Sequence, residues 1–327
     1  MKQLLSDEVA TADKVQVIPI VGMGGVGKTT LAQIIYNDDR VQDKFDFRVW
    51  VCVSDQFDLI GITKTILESV SGHSSHSESL SLLQDSLQKE LNGKRFFLVL
   101  DDIWNENPNN RSILHAPLKA GAQGSVIIVT TCQEHVASIM RTTSYWLSEL
   151  SDEHCWPLFA HLAFQNITAD AFQNLEPIGR KIIKKCKGLP LAEKTLGGLL
   201  RSKQDENAWK DMLNNEIWDL PTEQSSILPA LHLSYHYLHT KLKQCFAYCS
   251  IFPKDYEFEK KELILLWSAE GLVGGLKRGE LIEEVGETCF QNLLLRSFFQ
   301  PFGRNKSLFV MHDLIHDLTE FVSENSV

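Results

Sequence analysis

The residues best suited to chemistry form one run near the start of the chain, Gly22-Met23-Gly24-Gly25-Val26-Gly27-Lys28-Thr29-Thr30, set between an apolar stretch and a helical pattern. It fits the P-loop pattern GxxxxGK[ST]. Glycines at 22, 24, 25 and 27, with Val26 among them, let backbone N–H groups turn inward around phosphates at the positive end of the helix that follows. Lys28 can neutralise the β- and γ-phosphates, and the Thr29 hydroxyl, followed by Thr30, can reach a magnesium ion. The plain alternative is a Gly-rich turn with no ligand.

A phosphate cradle alone neither holds a metal nor directs water, so an acid at the end of a strand is required. KRFFLVLDDIW supplies it: Asp101 and Asp102 end an apolar run, where such ligands belong in an open α/β sheet. Asp101 is expected on the magnesium side together with Thr29, and Asp102 is expected to orient water. Val17 and Thr131, on the first and fourth apolar runs, complete the expected binding positions of this part of the chain.

The elements that must position these residues follow from the pattern. Four nearly continuous apolar runs, VQVIPIV (15–21), FRVWVCV (47–53), FFLVL (96–100) and SVIIVTT (125–131), read as parallel strands covered on both faces. Helical stretches at 29–37, 62–70 and 79–93 lie between them, which predicts a doubly wound α/β sheet. After about residue 150 the strand runs stop. Leu175, Ile178, Ile182, Ile183 and Cys186 share one helical face, ended by Gly188 and Pro190. Further helices fill 225–295. SFFQPF and SLFVM then flank GRNK as a hairpin before a last helix, which resembles a winged-helix unit. The expected division is a linker remnant at 1–14, a nucleotide-binding domain at 15–150, a helical subdomain at 151–224 and a winged-helix subdomain at 225–327.

Composition removes several classes. With 327 residues, 43% hydrophobic and 23% charged, the chain reads as globular. A formal net charge of −10 argues against electrostatic binding of nucleic acid as the main task. The basic residues Arg180, Lys181, Lys184, Lys185 and Lys187 read as a solvated face near a helix's negative end. No signal-peptide core or bilayer-length apolar stretch is evident. Seven irregularly spaced cysteines fit a reducing compartment, and Cys245 and Cys249 lack the partner pair that a zinc site there would need. A cytoplasmic location is expected.

Taken together, GMGGVGKTTLA (22–32), FDFRVWVCVSDQFD (45–58), KRFFLVLDDIW (94–104), GSVIIVTT (124–131), YWLSELSDEHCWPLFAHLAF (145–164), GLPLA (188–192), CFAYCSIFPKDYEF (245–258) and MHD (311–313) resemble, in order, the NB-ARC module of plant nucleotide-binding leucine-rich-repeat disease-resistance proteins of the coiled-coil type. The resemblance implies a nucleotide switch, ADP-bound at rest and ATP-bound when active, that controls homo-oligomeric assembly and defence signalling. By position it places Pro190 beside the adenine and His312 at the β-phosphate. Asp313 is then expected to orient His312 or to cap the last helix. The resemblance also implies, as partners outside this chain, the receptor's own coiled-coil and leucine-rich-repeat domains.

Two positions depart from the family pattern. Cys132 stands where an Arg is usual, and a neutral thiol cannot make the charged bidentate contact that Arg makes with phosphate; Arg48 is a possible substitute cation. Glu193 places a charge beside GLPLA where Ala is usual, a departure that exposure would make harmless. Two other function classes compete with the switch: an AAA-like turnover ATPase, and a nucleic-acid-binding regulator acting through KKELILLWSAEG (260–271).

Overall fold

The computed structural model describes residues 14–53, 57–104, 107–140, 142–165, 167–201, 203, 205–219, 228–273, 281–302 and 307–324, so most of the 1–14 linker and the GRNK turn lie outside the described residues. The chain divides into two compact units, 1–148 and 149–327.

The first unit is built on β1 (Val15–Val21), β2 (Phe47–Cys52), β3 (Phe96–Asp101), β4 (Ser125–Thr131) and β5 (Tyr145–Trp146), in the sheet order β2-β3-β4-β1-β5 with every pairing parallel. Strands β3 and β4 are buried along their whole length, which is why their sequences run apolar without alternation. Helices cover both faces, as expected. On one face α1 (Lys28–Tyr36) sets Ala32 and Ile35 in a cluster with Ile20, Val99 and Ile128. On the other, α3 (Leu59–Ser71) and α4 (Leu80–Leu91) bring Ile62, Ile66, Leu83 and Leu87 together with Val17, Leu98 and Ile127. Between them in sequence lies the short α2 (Asp39–Lys44). Strand β5 has two residues, too few for a periodic signal, and it was not legible in the sequence.

Register fixes the chemistry. Val21 pairs with Thr131 across β1 and β4, and Leu100 pairs with Val129 across β3 and β4. The glycine-rich loop, the acidic pair and the end of β4 therefore leave the sheet at one edge, with β4 in the middle. Helix α5 (Pro108–Leu118) and α6 (Glu134–Ile139) complete the unit.

The second unit begins with α7 (Asp152–Ala163), α8 (Ala169–Cys186) and α9 (Pro190–Leu200). Helix α8 buries Leu175, Ile178, Ile182, Ile183 and Cys186, the face read from the sequence. It ends in two left-handed residues, Lys187 (φ 52°) and Gly188 (φ 72°). A Cβ at 188 would lie 2.3 Å from the Leu150 carbonyl oxygen, and the Leu150 N–H donates to the Gly188 carbonyl at 2.9 Å. Only glycine fits that approach. Pro190 is the first residue of α9, where its missing N–H costs nothing.

After α10 (Glu206–Leu213), α11 (Pro229–His236) and α12 (Thr240–Tyr248) comes the wing: β6 (Phe258–Glu259), α13 (Lys260–Ala269), α14 (Ile282–Leu295), β7 (Gln300–Pro301), β8 (Leu308–Val310) and α15 (Asp313–Glu324). The expected hairpin strands pair antiparallel, and β6 joins them in the order β6-β8-β7. Trp267, Phe246, Phe290, Phe298 and Phe299 fill the core of this part.

Glu193 is fully buried, so the exposure that would make its charge harmless is not met. It lies on α9 at helical spacing from Leu189, Leu196, Gly197 and Leu200, the face that packs inward. Neither carboxylate oxygen has a hydrogen-bond partner, since the nearby Cys155 thiol is turned to the Leu150 carbonyl at 3.6 Å. Burial pushes the carboxyl up to about 7; the Cys155 thiol opposes this in part and the charge of Asp152 adds to it. The ionisation penalty of such a buried acid is absent while both folded and unfolded forms are protonated, below the ordinary carboxyl value of 4.5. The cost grows as pH rises from there and is complete above about 7. Glu193→Gln should therefore be more stabilising at pH 8 than at pH 4, by at most about 3 kcal/mol, in paired urea titrations.

Candidate phosphate-binding site

The loop after β1 is shaped by backbone conformations that side chains resist. Gly25 (φ 75°) and Gly27 (φ 102°) are left-handed. The Val26 N–H closes a turn on the Met23 carbonyl at 3.3 Å, and the Gly22 N–H reaches the Thr131 carbonyl at 3.4 Å. Helix α1 then starts at Lys28, with Gly27 as its cap. No side chain caps it and no acid lies in its first turn, whereas Asp38, Asp58 and Asn107 cap α2, α3 and α5. The first N–H groups of α1 and the positive end of its dipole thus suit an anion here because the glycine-rich loop folds over them.

Lys28 is nearly buried, and its ammonium donates to the carbonyls of Gly22 and Met23 at 3.0 Å each and to the Cys132 sulfur at 3.0 Å. The charge is thereby held inside the loop. The Thr29 hydroxyl donates to Asp101 Oδ1 at 3.1 Å, so the two expected magnesium-side residues meet. Thr30 is exposed on α1.

Asp101 is 5% exposed, and burial pushes its carboxyl up to about 6. Hydrogen bonds from Thr130 and Thr29 and the charge of Lys28 pull the other way, while Asp102 adds to the rise. Thr130, which the sequence reading passed over, is the organiser of the pair: its hydroxyl donates to Asp101 Oδ1 at 2.5 Å and accepts the Asp102 N–H at 2.8 Å. A threonine in a strand looks like ordinary β-propensity, and only the β3–β4 register reveals its task. Asp102 takes φ 60°, a conformation costly for a residue with a side chain, and Oδ2 accepts the Trp104 indole N–H at 2.5 Å.

The remaining positions of this unit have other occupations. Val17 is packed in the sheet core. The Thr131 hydroxyl donates to the Ile103 carbonyl at 2.5 Å and accepts the Gln133 N–H at 3.0 Å, which shapes the turn after β4. Arg48, the substitute cation considered for Cys132, donates to the Tyr36 carbonyl at 3.0 Å and lies 5.2 Å from the centre of the Tyr36 ring. Its guanidinium serves the α1–β2 packing.

In the second unit, Pro190 begins α9 and His312 precedes α15. The His312 ring Nδ1 accepts the Leu314 N–H at 3.2 Å, and its carbonyl accepts from Ile315 and His316 at 2.7 and 3.0 Å. Capping thus falls to His312, while Asp313 places a negative charge in the first turn. An Nδ1 that accepts leaves the ring proton on Nε2, a donor.

Oxygen donors of Thr29 and Asp101 suit a magnesium ion, and the open helix end with Lys28 suits the phosphates it would bridge. Comparison with known proteins identifies the family. Residues 1–169 match the NB-ARC domain family, and residues 251–319 match the disease resistance protein winged helix domain. The chain is 48% identical to a putative disease resistance protein, RGA1, of Solanum bulbocastanum over 99% of its length, covering 33% of that protein. It is 44% identical to a putative disease resistance RPP13-like protein 1 of Arabidopsis thaliana over 94% of its length, covering 29% of that protein. It therefore spans about a third of these relatives. A solved STAND (signal transduction ATPase with numerous domains) protein of Pyrococcus horikoshii, with a tetratricopeptide repeat sensor, shares the fold at a TM-score of 0.58 and 17% identity, over 99% of this chain and 42% of that one. The chain belongs to the NB-ARC family of plant disease-resistance proteins, built on a P-loop NTPase fold.

Proposed function

We propose that this chain is the ADP/ATP-binding switch of a plant immune receptor, in which the nucleotide acts chiefly as a structural ligand. The observation that carries the reading is the meeting of Lys28, Thr29 and Asp101 at one edge of the sheet, beside an uncapped helix start. Backbone N–H groups of the loop and of the start of α1, other than those of Gly22 and Val26, and the Lys28 ammonium would take the phosphates. Thr29 and Asp101 would hold magnesium, whose charge would offset that of the phosphates when bound. By the resemblance, Pro190 would serve the adenine and His312, as an Nε2–H donor, the β-phosphate. Resting and active forms would differ in which nucleotide they bind better, and this difference is what drives such a switch.

A second reading, continuous turnover, needs a carboxylate that activates water. The Asp102 carboxylate accepts the Trp104 indole N–H, so one of its oxygens is already engaged, which favours slow hydrolysis over continuous turnover. A nucleic-acid-binding role is less favoured. Helix α13 buries Leu263, Ile264 and Trp267, and Lys260 is paired with Glu287 at 2.9 Å. The reading places the protein in the cytoplasm, with oligomer formation on activation. Among the described residues, no helix is long and apolar enough to cross a membrane.

Chromatography of the heat-released ligand tests the reading. About one ADP per chain is expected, with steady-state turnover far below the roughly 10 s⁻¹ of ordinary enzymes, and Lys28→Ala should lose the nucleotide. Empty wild-type protein, or retention unchanged in Lys28→Ala, would contradict it.

The state of Asp101 gives a pH dependence. Magnesium needs the carboxylate, so the gain in ADP affinity on adding magnesium should be full above pH 7 and fade as pH falls through about 6. The terminal phosphate also titrates near pH 6, roughly. Asp101→Asn supplies the baseline, since it should show little magnesium gain at any pH.

Cys132 bears on discrimination. Its sulfur lies against Lys28 and brings no positive charge to the end of β4, so we propose weak preference for ATP and a bias toward the ADP-bound form. Cys132→Arg should raise the ATP-to-ADP affinity ratio about tenfold, the equivalent of ~1.4 kcal/mol. An unchanged ratio by titration calorimetry would sink this idea.

A further inference from the structure

Helix α15 carries a constellation that the nucleotide reading leaves unused. His316 is 4% exposed, and its Nε2 lies 2.7 Å from the Phe252 carbonyl oxygen. A carbonyl can only accept, so Nε2 carries the proton and donates it. The other ring nitrogen, Nδ1, is then an acceptor: it is buried and has no hydrogen-bond partner. Glu320 Oε1 stands 3.9 Å from it, and ligand atoms of His316, Asp317 and Glu320 all lie within 4.8 Å of one another.

A buried lone pair facing two carboxylates is an unfavourable arrangement unless something positive stands among them. The 3.9 Å separation is too long for a hydrogen bond. It is close to the about 3.3 Å between neighbouring donors of a tetrahedral site with bonds of about 2.0–2.1 Å. Glu320, half exposed, can close that difference by a small change of side-chain angle.

The surroundings match those of metal ligands as well. A ligating histidine ordinarily donates its second ring N–H to a carbonyl or carboxylate, and ligating carboxylates are themselves held by hydrogen bonds. Here Phe252 takes the His316 proton, and Lys254 holds Asp317 Oδ1 at 2.9 Å. Two carboxylates and one ammonium leave a net negative charge, and Asp317 keeps its second oxygen.

We propose that His316 Nδ1, Asp317 and Glu320 bind one divalent transition ion of the zinc class, with a fourth position left to water. The ion would staple one turn of the last helix, whose ligands Phe252 and Lys254 hold in place. It would bind the folded chain far better than the unfolded one, and so raise the melting temperature.

The test is calorimetric titration of the metal-stripped full chain with Zn²⁺, paired with thermal melts, for wild type, Glu320→Gln and Asp317→Asn. One saturable ion per wild-type chain is expected, with a higher Tm on loading. Each variant should bind about tenfold more weakly or worse. Glu320 is on the surface, so Glu320→Gln should keep the metal-free Tm and separate lost binding from lost folding. Absence of saturable uptake by the wild type would overturn the proposal and leave Nδ1 to a proton. Wild-type uptake in both variants would overturn it too, by placing the zinc elsewhere, for instance on thiols.

Discussion

The placement of β4 between β1 and β3 is the constraint on which the rest of the first unit depends. Because Val21 faces Thr131 and Leu100 faces Val129, the glycine-rich loop, Asp101 and Thr130 emerge side by side although they are far apart in sequence. A parallel sheet is held in register by the burial of both its faces. A slip of one residue would turn Thr130 away from Asp101 and bring the apolar side chains of β4 out of their clusters. The apolar core and the polar edge thus specify the same alignment.

That alignment concentrates opposing charges where water is scarce. Lys28 is held by two loop carbonyls and a sulfur, and Asp101 by two hydroxyls, so neither rests on a direct ion pair with the other. Partners of this kind are neutral dipoles that orient a charge without cancelling it. Charge complementarity is therefore left to a ligand carrying both phosphate and a divalent cation. The left-handed backbone of Asp102 belongs to the same arrangement. It lets the N–H of Asp102 bond to Thr130 while its carboxylate turns to Trp104, at a conformational cost that these two bonds offset.

Most of the α/β unit was legible in the sequence because β1 to β4 are continuous apolar runs, and the residues between them have a helical period. The motif residues Lys28, Thr29 and Asp101 were legible for a different reason: their chemistry demands those types at that spacing. What escaped depends on register or on short elements. Thr130 acts through a cross-strand neighbour, and β5 and β6 are two residues each. Glu193 escaped for a third reason. Its charge suggested a surface position, yet its spacing from Leu189, Leu196 and Leu200 already put it on the inner face of α9. Helical period outweighed side-chain type there, because the chain cannot rotate one residue out of a packed helix.

Three buried groups with imperfect partners, Asp101, Glu193 and His316, show how such a cost can be interpreted. Each would be destabilising if left charged or unpaired in a dry interior. At Asp101 the neighbours are hydroxyls and a lysine that favour the carboxylate, at the end of β3 beside the glycine-rich loop. At His316 the proton is fixed on one nitrogen and carboxylates face the other, so the geometry favours a positive partner over a neutral one. At Glu193 the neighbours are thiols and another acid, none of which can supply positive charge, and burial is complete. The same circumstance, a titratable group inside the fold, thus has opposite meanings. Next to donors it marks a place for a ligand, and among thiols inside a helical core it is a standing cost that raises the pH at which the carboxyl ionises.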